Sequence, residues 1–169
     1  ELVWRAPNGI VAEATLSAND EWLIYRLNPP GGGRDIYGIR PGRDTVPTPL
    51  LTGRFDEQGA ALSPDGKWLA YSSNESGQYE IFVRPFPNTD SGRWQISTRG
   101  GDAARWSRSG RELFFEGNNG EFMAVAIAPG STFSPGEPRR LFSRGGVLLG
   151  SNIVPYYDIT PGDSGFIMV

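Results

Sequence analysis

The chain contains no cysteine and no histidine among its 169 residues. Without cysteine there is no disulfide, no thiolate nucleophile and no thiolate-held metal. Without histidine the commonest general base and the commonest transition-metal ligand are both missing. Ser-His-Asp and Cys-His catalysis are thereby excluded, and with them most zinc sites. No apolar run reaches the length of a membrane span, and no charged-then-apolar start marks a signal peptide in this chain. Membrane insertion is not expected. A formal net charge of −3 provides no basic field, so nucleic acid is not the expected partner. Methionine is absent from the first position; the chain opens on Glu1, as a processed product or an excised piece of something longer would.

What is present points to an ordered, turn-rich protein. Glycine (23) and proline (14) are abundant, but five Trp, six Tyr and nine Phe accompany them, which a disordered chain would lack. The length suits one domain with a real core and is short for two.

The strongest signal is an internal repeat. "LSANDEWLIY" (16–25) aligns without a gap on "LSPDGKWLAY" (62–71), then on "WSRSGRELFF" (106–115) and "ITPGDSGFIM" (159–168). A large apolar residue leads each copy: Leu16, Leu62, Trp106 and Ile159. A hydroxyl follows it as Ser17, Ser63, Ser107 and Thr160. Each copy then closes on an apolar run, such as Leu69-Ala70-Tyr71 or Leu113-Phe114-Phe115.

The unit reads as strands. In Ser63-Pro64-Asp65-Gly66, Pro presets the first turn dihedral, Asp bonds back to the backbone and Gly accepts positive φ. That turn joins an inner strand (59–63) to a second strand (67–73). A third follows from Tyr79 to Arg84 and a fourth near 93–97. Four short strands in about 45 residues, without helical periodicity, describe one blade of a β-propeller. The predicted fold is therefore all-β, a propeller of about four blades: three complete four-stranded repeats and an incomplete fourth. The repeats fall at approximately 10–55, 56–99, 100–150, and 151–169 plus 1–6. An open array would expose strand edges. The expected remedy is closure by the N-terminal strand from Glu1 to Ala6, pairing of two chains, or a place within a larger propeller.

The pattern "SPDGKWLAYSSNESGQYEIFVRPFP" resembles the TolB-like, WD40-like propeller repeats of bacteria. The succession "GRWQISTRGGDAARWSRSGRELFFEG", "PRRLF" and "YYDITPGDSGFIMV" is similar to the C-terminal propellers of bacterial serine/threonine protein kinases and related sensor proteins. The resemblance implies a non-catalytic propeller from a larger signalling or envelope protein, periplasmic or extracytoplasmic rather than cytoplasmic. No kinase signature is present, so no kinase activity carries over.

Several segments invite a chemical reading. Gly162-Asp163-Ser164-Gly165 resembles the nucleophile segment of trypsin-like proteases, but a serine there would lack its histidine base. The alignment makes this segment a hairpin turn. Ser17, Ser63, Ser107 and Thr160 occur in equivalent copies, as residues that set turns do. "PPGGGR" (29–34) lacks the Lys-Ser/Thr and the helix of a phosphate loop. Trp22, Trp68, Trp94 and Trp106 are expected to pack.

The functional candidates lie where the innermost strands line a propeller's channel and their feeding loops ring its mouth. Glu13, Asp56, Glu57, Asp102 and Asp158 are predicted to gather there, with Arg99 and Arg105 beside them. The first expectation is binding of a protein or small ligand through Glu13, Asp56, Glu57, Asp102 and Arg105, without catalysis or cofactor, in a homodimer or against a neighbouring propeller segment. The alternative is a hydrolase of esters, lactones or phosphotriesters. There, Glu57 and Asp102 would act with Ca2+ or another divalent cation held by Glu57, Asp102 and Asp158.

Overall fold

The computed structural model describes residues 9–143 and 157–168, and within them the protein is all-β. The first sheet holds β1 (Ile10–Leu16), β2 (Leu23–Asn28), β3 (Asp35–Ile39) and β4 (Thr48–Leu51), in that order. The second holds β5 (Glu57–Leu62), β6 (Trp68–Ser73), β7 (Glu80–Pro85) and β8 (Trp94–Gln95). The third holds β9 (Asp102–Trp106), β10 (Glu112–Glu116), β11 (Glu121–Ala126) and β12 (Arg139–Ser143). A two-stranded sheet, β13 (Tyr157–Ile159) and β14 (Phe166–Met168), follows. Every pairing within these sheets is antiparallel, so each is a meander that walks outward from its first strand.

The β5–β6 hairpin forms as its residues dictate. The Ser63 hydroxyl donates to Asp65 Oδ1 at 2.7 Å and accepts the amides of Lys67 and Trp68 at 3.2 and 3.0 Å. Gly66, at φ +70°, donates its N–H to Ser63 O, a geometry that suits a residue without a Cβ. Ser17 accepts from Trp22 N at 2.9 Å, and Ser107 from Glu112 N at 3.0 Å, in the same manner. Thr160 plays the part between β13 and β14, where it donates to Gly165 O. The protease-like segment is this turn: Ser164 lies 3.2 Å from Thr160 Oγ1, and Asp163 accepts the amides of Arg108 and Ser109.

Apart from a cluster of Tyr25, Leu27 and Ile39 within the first blade, the core is divided among the blade interfaces. Ile24, Ile36 and Leu51 of the first blade pack with Leu69, Tyr71 and Phe82 of the second. Ile81, Val83 and Ile96 of the second blade pack with Trp106, Leu113, Phe115 and Val125 of the third. Phe114 and Phe122 then meet Tyr157 and Ile159 of the last sheet. The tryptophans join these interfaces. Trp22 meets Phe86 edge-on at 5.1 Å, Trp68 lies 5.1 Å from Phe133, and Trp106 Nε1 donates to Ala61 O at 3.0 Å. Burying aromatic and aliphatic surface between blades is what holds such an array together.

Among the described residues β14 pairs with β13 alone. The expected closing strand, 1–6, lies outside the described residues. No helix of the described residues is long and apolar enough to cross a membrane.

Candidate functional site

The first strand of each four-stranded blade is interrupted, at equivalent places in β5 and β9 and slightly earlier in β1. The register shifts between Val11 and Glu13 in β1 and between Gln58 and Ala61 in β5; in β9 it shifts between Asp102 and Arg105. Gly59 (φ +64°) and Ala103 (φ +56°) occupy matching positions there. A left-handed alanine costs of order 1 kcal/mol. Ala103 is held in place by Tyr157 Oη, which donates to its carbonyl at 2.7 Å, and by its own amide, which donates to Asp102 Oδ1 at 2.8 Å. Bulges of this kind re-aim side chains next to functional sites. Here they turn polar groups of three blades toward one another.

Glu13 and Asp102 are the two acidic centres of the resulting network. Glu13 Oε2 accepts the Gly59 amide at 2.8 Å, and Glu13 Oε1 lies 2.9 Å from Arg26 Nε. The Arg26 side chain is fully buried, and the pair is a charge contact off the line of a hydrogen bond. Burial raises the Glu13 carboxyl above its ordinary range, and Asp102 adds to this, against the Gly59 amide and Arg26. Burial lowers Arg26, and Glu13 opposes it. Asp102 accepts from Gln58 Nε2 at 2.9 Å and from Ser72 Oγ at 2.7 Å. Gln58 Oε1 in turn accepts from Arg34, which also donates to Tyr79 Oη at 3.1 Å. Tyr79 donates to Asp56 Oδ2 at 3.4 Å.

Glu57 stands apart from this network. Successive strand residues point to opposite sides, so Gln58 reaches Asp102 while Glu57 reaches Ser73, whose hydroxyl donates to Oε1 at 3.3 Å. Burial pushes the Glu57 carboxyl up to about 7, with Asp35, Glu75 and Asp56 adding repulsion. Asp158 bonds to its own neighbour, with the Ile159 amide donating to Oδ1 at 2.8 Å. Glu57, Asp102 and Asp158 therefore do not converge on one point. Among the described residues no three carboxylates are grouped as a cation's ligands would be. Arg99 lines a separate cavity beside Asn118 and Glu121, away from Glu13 and Asp102.

Two adjoining cavities complete the site. One, of about 290 Å3, lies against Glu13, Arg26, Gly59 and Arg105. The other, of about 690 Å3, is lined by Thr15, Ala61, Arg105 and Asp158, with Leu16, Leu62, Trp106 and Tyr157 around them. Thr15 and Arg105 belong to both.

Sequence reasoning missed Arg26, Arg34, Gln58, Ser72 and Tyr79. A signal for two of them stands one residue past the aligned apolar run. There the repeats carry Arg26, Ser72 and Glu116, all buried. A polar position that changes chemistry between otherwise matching strands marks the site. Arg34 and Tyr79 sit on connections outside the aligned block, where no such comparison exists.

No protein-family model matches the chain, and no curated protein is similar to it in sequence. Solved structures are similar in fold. A TolB-designated protein from Agrobacterium tumefaciens is 20% identical with a TM-score of 0.65, over 81% of this chain and 50% of its own. An auxiliary nutrient binding protein from Bacteroides thetaiotaomicron is 16% identical with a TM-score of 0.57, over 81% of this chain and 33% of its own. TolB from Acinetobacter baumannii is 14% identical with a TM-score of 0.56, over 77% of this chain and 32% of its own. The chain thus spans half or less of the length of these structures. At such identities the likeness speaks for architecture, and the architecture is that of a TolB-like β-propeller.

Proposed function

We propose that the protein is a non-catalytic binding module, which takes a protein or small ligand at the inner-strand cavities of its propeller. One observation carries this reading. Residues that the repeats do not share gather here, Glu13 and Arg105 along a connected hollow and Gln58 and Asp102 in a hydrogen-bonded pair across two blades, whereas the shared residues build turns and blade interfaces. Concave sites with a few converging polar groups are where ligands bind. On this reading the module works outside the cytoplasm of a bacterium, as part of a larger signalling or envelope protein. It pairs with a second copy or with a neighbouring propeller segment.

The test is amide NMR during titration with a fragment library. Shifts are expected to cluster on residues 13–15, 58–61, 102–106 and 157–159. Shifts confined to the outer strands, or no shifts at all, would reject the reading.

A second reading, a hydrolase of esters, lactones or phosphotriesters, is favoured by one feature. A carboxyl held near neutrality, as Glu57 is at about 7, can serve as a general acid or base. Glu57 would be that group with a divalent cation beside it, and Asp102, reached by Gln58 from the other side of the strand, would act only at a distance. Chelator-sensitive turnover that disappears in Glu57→Gln would favour this reading over the binding module; absence of turnover on all three substrate classes would remove it.

A further inference from the structure

This inference rests on the binding-module reading and names the chemistry of its ligand. The repeat alignment places Thr15, Ala61, Arg105 and Asp158 at one position in four successive inner strands. All four line the cavity of about 690 Å3. At the turn positions the same alignment keeps a hydroxyl in every copy, because the hairpin needs it. At this position it runs from hydroxyl to methyl to cation to anion, so the strand itself imposes no residue type here.

The two charges are not spent on each other. Arg105 is half-buried, and among the described residues no hydrogen bond or ion pair engages its guanidinium. Asp158 is exposed and holds only the amide of its own neighbour, Ile159. Leu16, Leu62, Trp106 and Ile167 line the same cavity, Leu16 and Ile167 being exposed, together with Ser107 and a second cation, Arg108, at its exposed edge. A simple anion entering this space would satisfy Arg105 and leave Asp158 facing it. A simple cation would do the reverse, and a neutral ligand would leave both charges unanswered.

We propose that the cavity binds a small zwitterion, an α-amino acid or a short peptide with free termini. Its carboxylate docks on Arg105, whose planar fork matches two carboxylate oxygens. Its ammonium docks on Asp158, whose oxygens accept from an N–H donor set. An aliphatic side chain then lies against Leu16, Leu62 and Trp106. The hollow is of the size that small-ligand sites have.

Calorimetric titration with alanyl-leucine, its N-acetyl form and its C-terminal amide tests the proposal. The free dipeptide is expected to bind saturably, and blocking either terminus should weaken it about tenfold or more, as loss of a charge-assisted bond does. Arg105→Gln should erase the difference between the free and amidated peptides. Asp158→Asn should erase the difference between the free and acetylated ones. Equal binding of the three peptides, no saturable binding of any, or unchanged discrimination in Arg105→Gln would overturn it. Should a variant fail to fold, the three peptides on the unaltered protein still decide. If library fragments shift the inner-strand amides while no dipeptide binds, the zwitterion proposal falls and the binding module stands. If neither does, both fall.

Discussion

The second blade and the first are written in aligned sequence, yet they live in different surroundings. The second blade is flanked on both faces. Leu69, Tyr71 and Phe82 face the first blade, Ala70, Ile81 and Val83 face the third, and all six are essentially inaccessible. The first blade has a neighbour on one face only among the described residues. Its inner strand leaves Ile10 70% exposed, Val11 42% and Leu16 53%. Its β2 and β3 nevertheless bury Tyr25, Leu27 and Ile39, so the exposure is confined to the inner strand. The difference comes from neighbours, not from local propensity. What ties β1 down is polar: Glu13 reaches Arg26 on β2 and the Gly59 amide on β5.

The sharpest test of this contrast is a pair of truncations. Phe82→Ala should cost about 3–5 kcal/mol, because it empties a filled interface. Ile10→Ala should stay within about 0.5 kcal/mol. Urea unfolding measures both, and similar costs would mean that the first blade is covered in solution. Next in size is Glu13→Ala. It leaves the buried Arg26 without its partner and should cost about 3 kcal/mol. Arg26→Met combined with Glu13→Ala should recover much of that loss in the same assay, since two apolar groups replace an unpaired charge. A third pair sharpens the comparison from the opposite side. Ser63→Ala and Ser17→Ala should each cost about 1 kcal/mol, the worth of the hydroxyl's bonds across the turn. Equal costs in both blades would place the turn's stability in the local sequence alone.

The smallest effect concerns pH. Glu57 is raised from 4.5 to about 7, so between these values the folded protein holds a proton that the unfolded chain has released. Stability contributed by this group is full below about 4.5, falls as the pH rises, and is gone above about 7. Glu13, also raised, acts in the same direction. Thermal melts across this window should show a declining Tm, and Glu57→Gln should flatten the decline in part. An unchanged slope in that variant would place the titration elsewhere.

Much of the architecture was legible before any coordinates. Hairpin turns are local, so Ser63 to Trp68 could be read from residue types and then recovered in three further copies. The second strand expected at 67–73 is observed as Trp68–Ser73, and the third, expected from Tyr79 to Arg84, as Glu80–Pro85. The fourth strand, expected near 93–97, is only Trp94–Gln95. An outer strand is paired on one side, and Pro and Gly crowd the loop before it. The site was legible only in part. Glu13 and Asp102 do enter one network, whereas Glu57, one residue from Gln58, is turned to the other side by strand alternation.

The sequence by itself determined the repeat, the turns and the all-β blades, because these depend on dihedral preferences and on periodicity within about ten residues. It also determined, through the absence of histidine and cysteine, which catalytic machinery the chain could not hold. Tertiary structure alone decided that Glu13 answers Arg26 and Gly59, that Gln58 bridges Arg34 to Asp102, and that Arg105 and Asp158 face one cavity unpaired. Except for Glu13 and Arg26, which face each other across one hairpin, those groups belong to different blades. Their distances depend on how whole sheets pack and on where a bulge turns a strand, and no local rule of sequence contains that information.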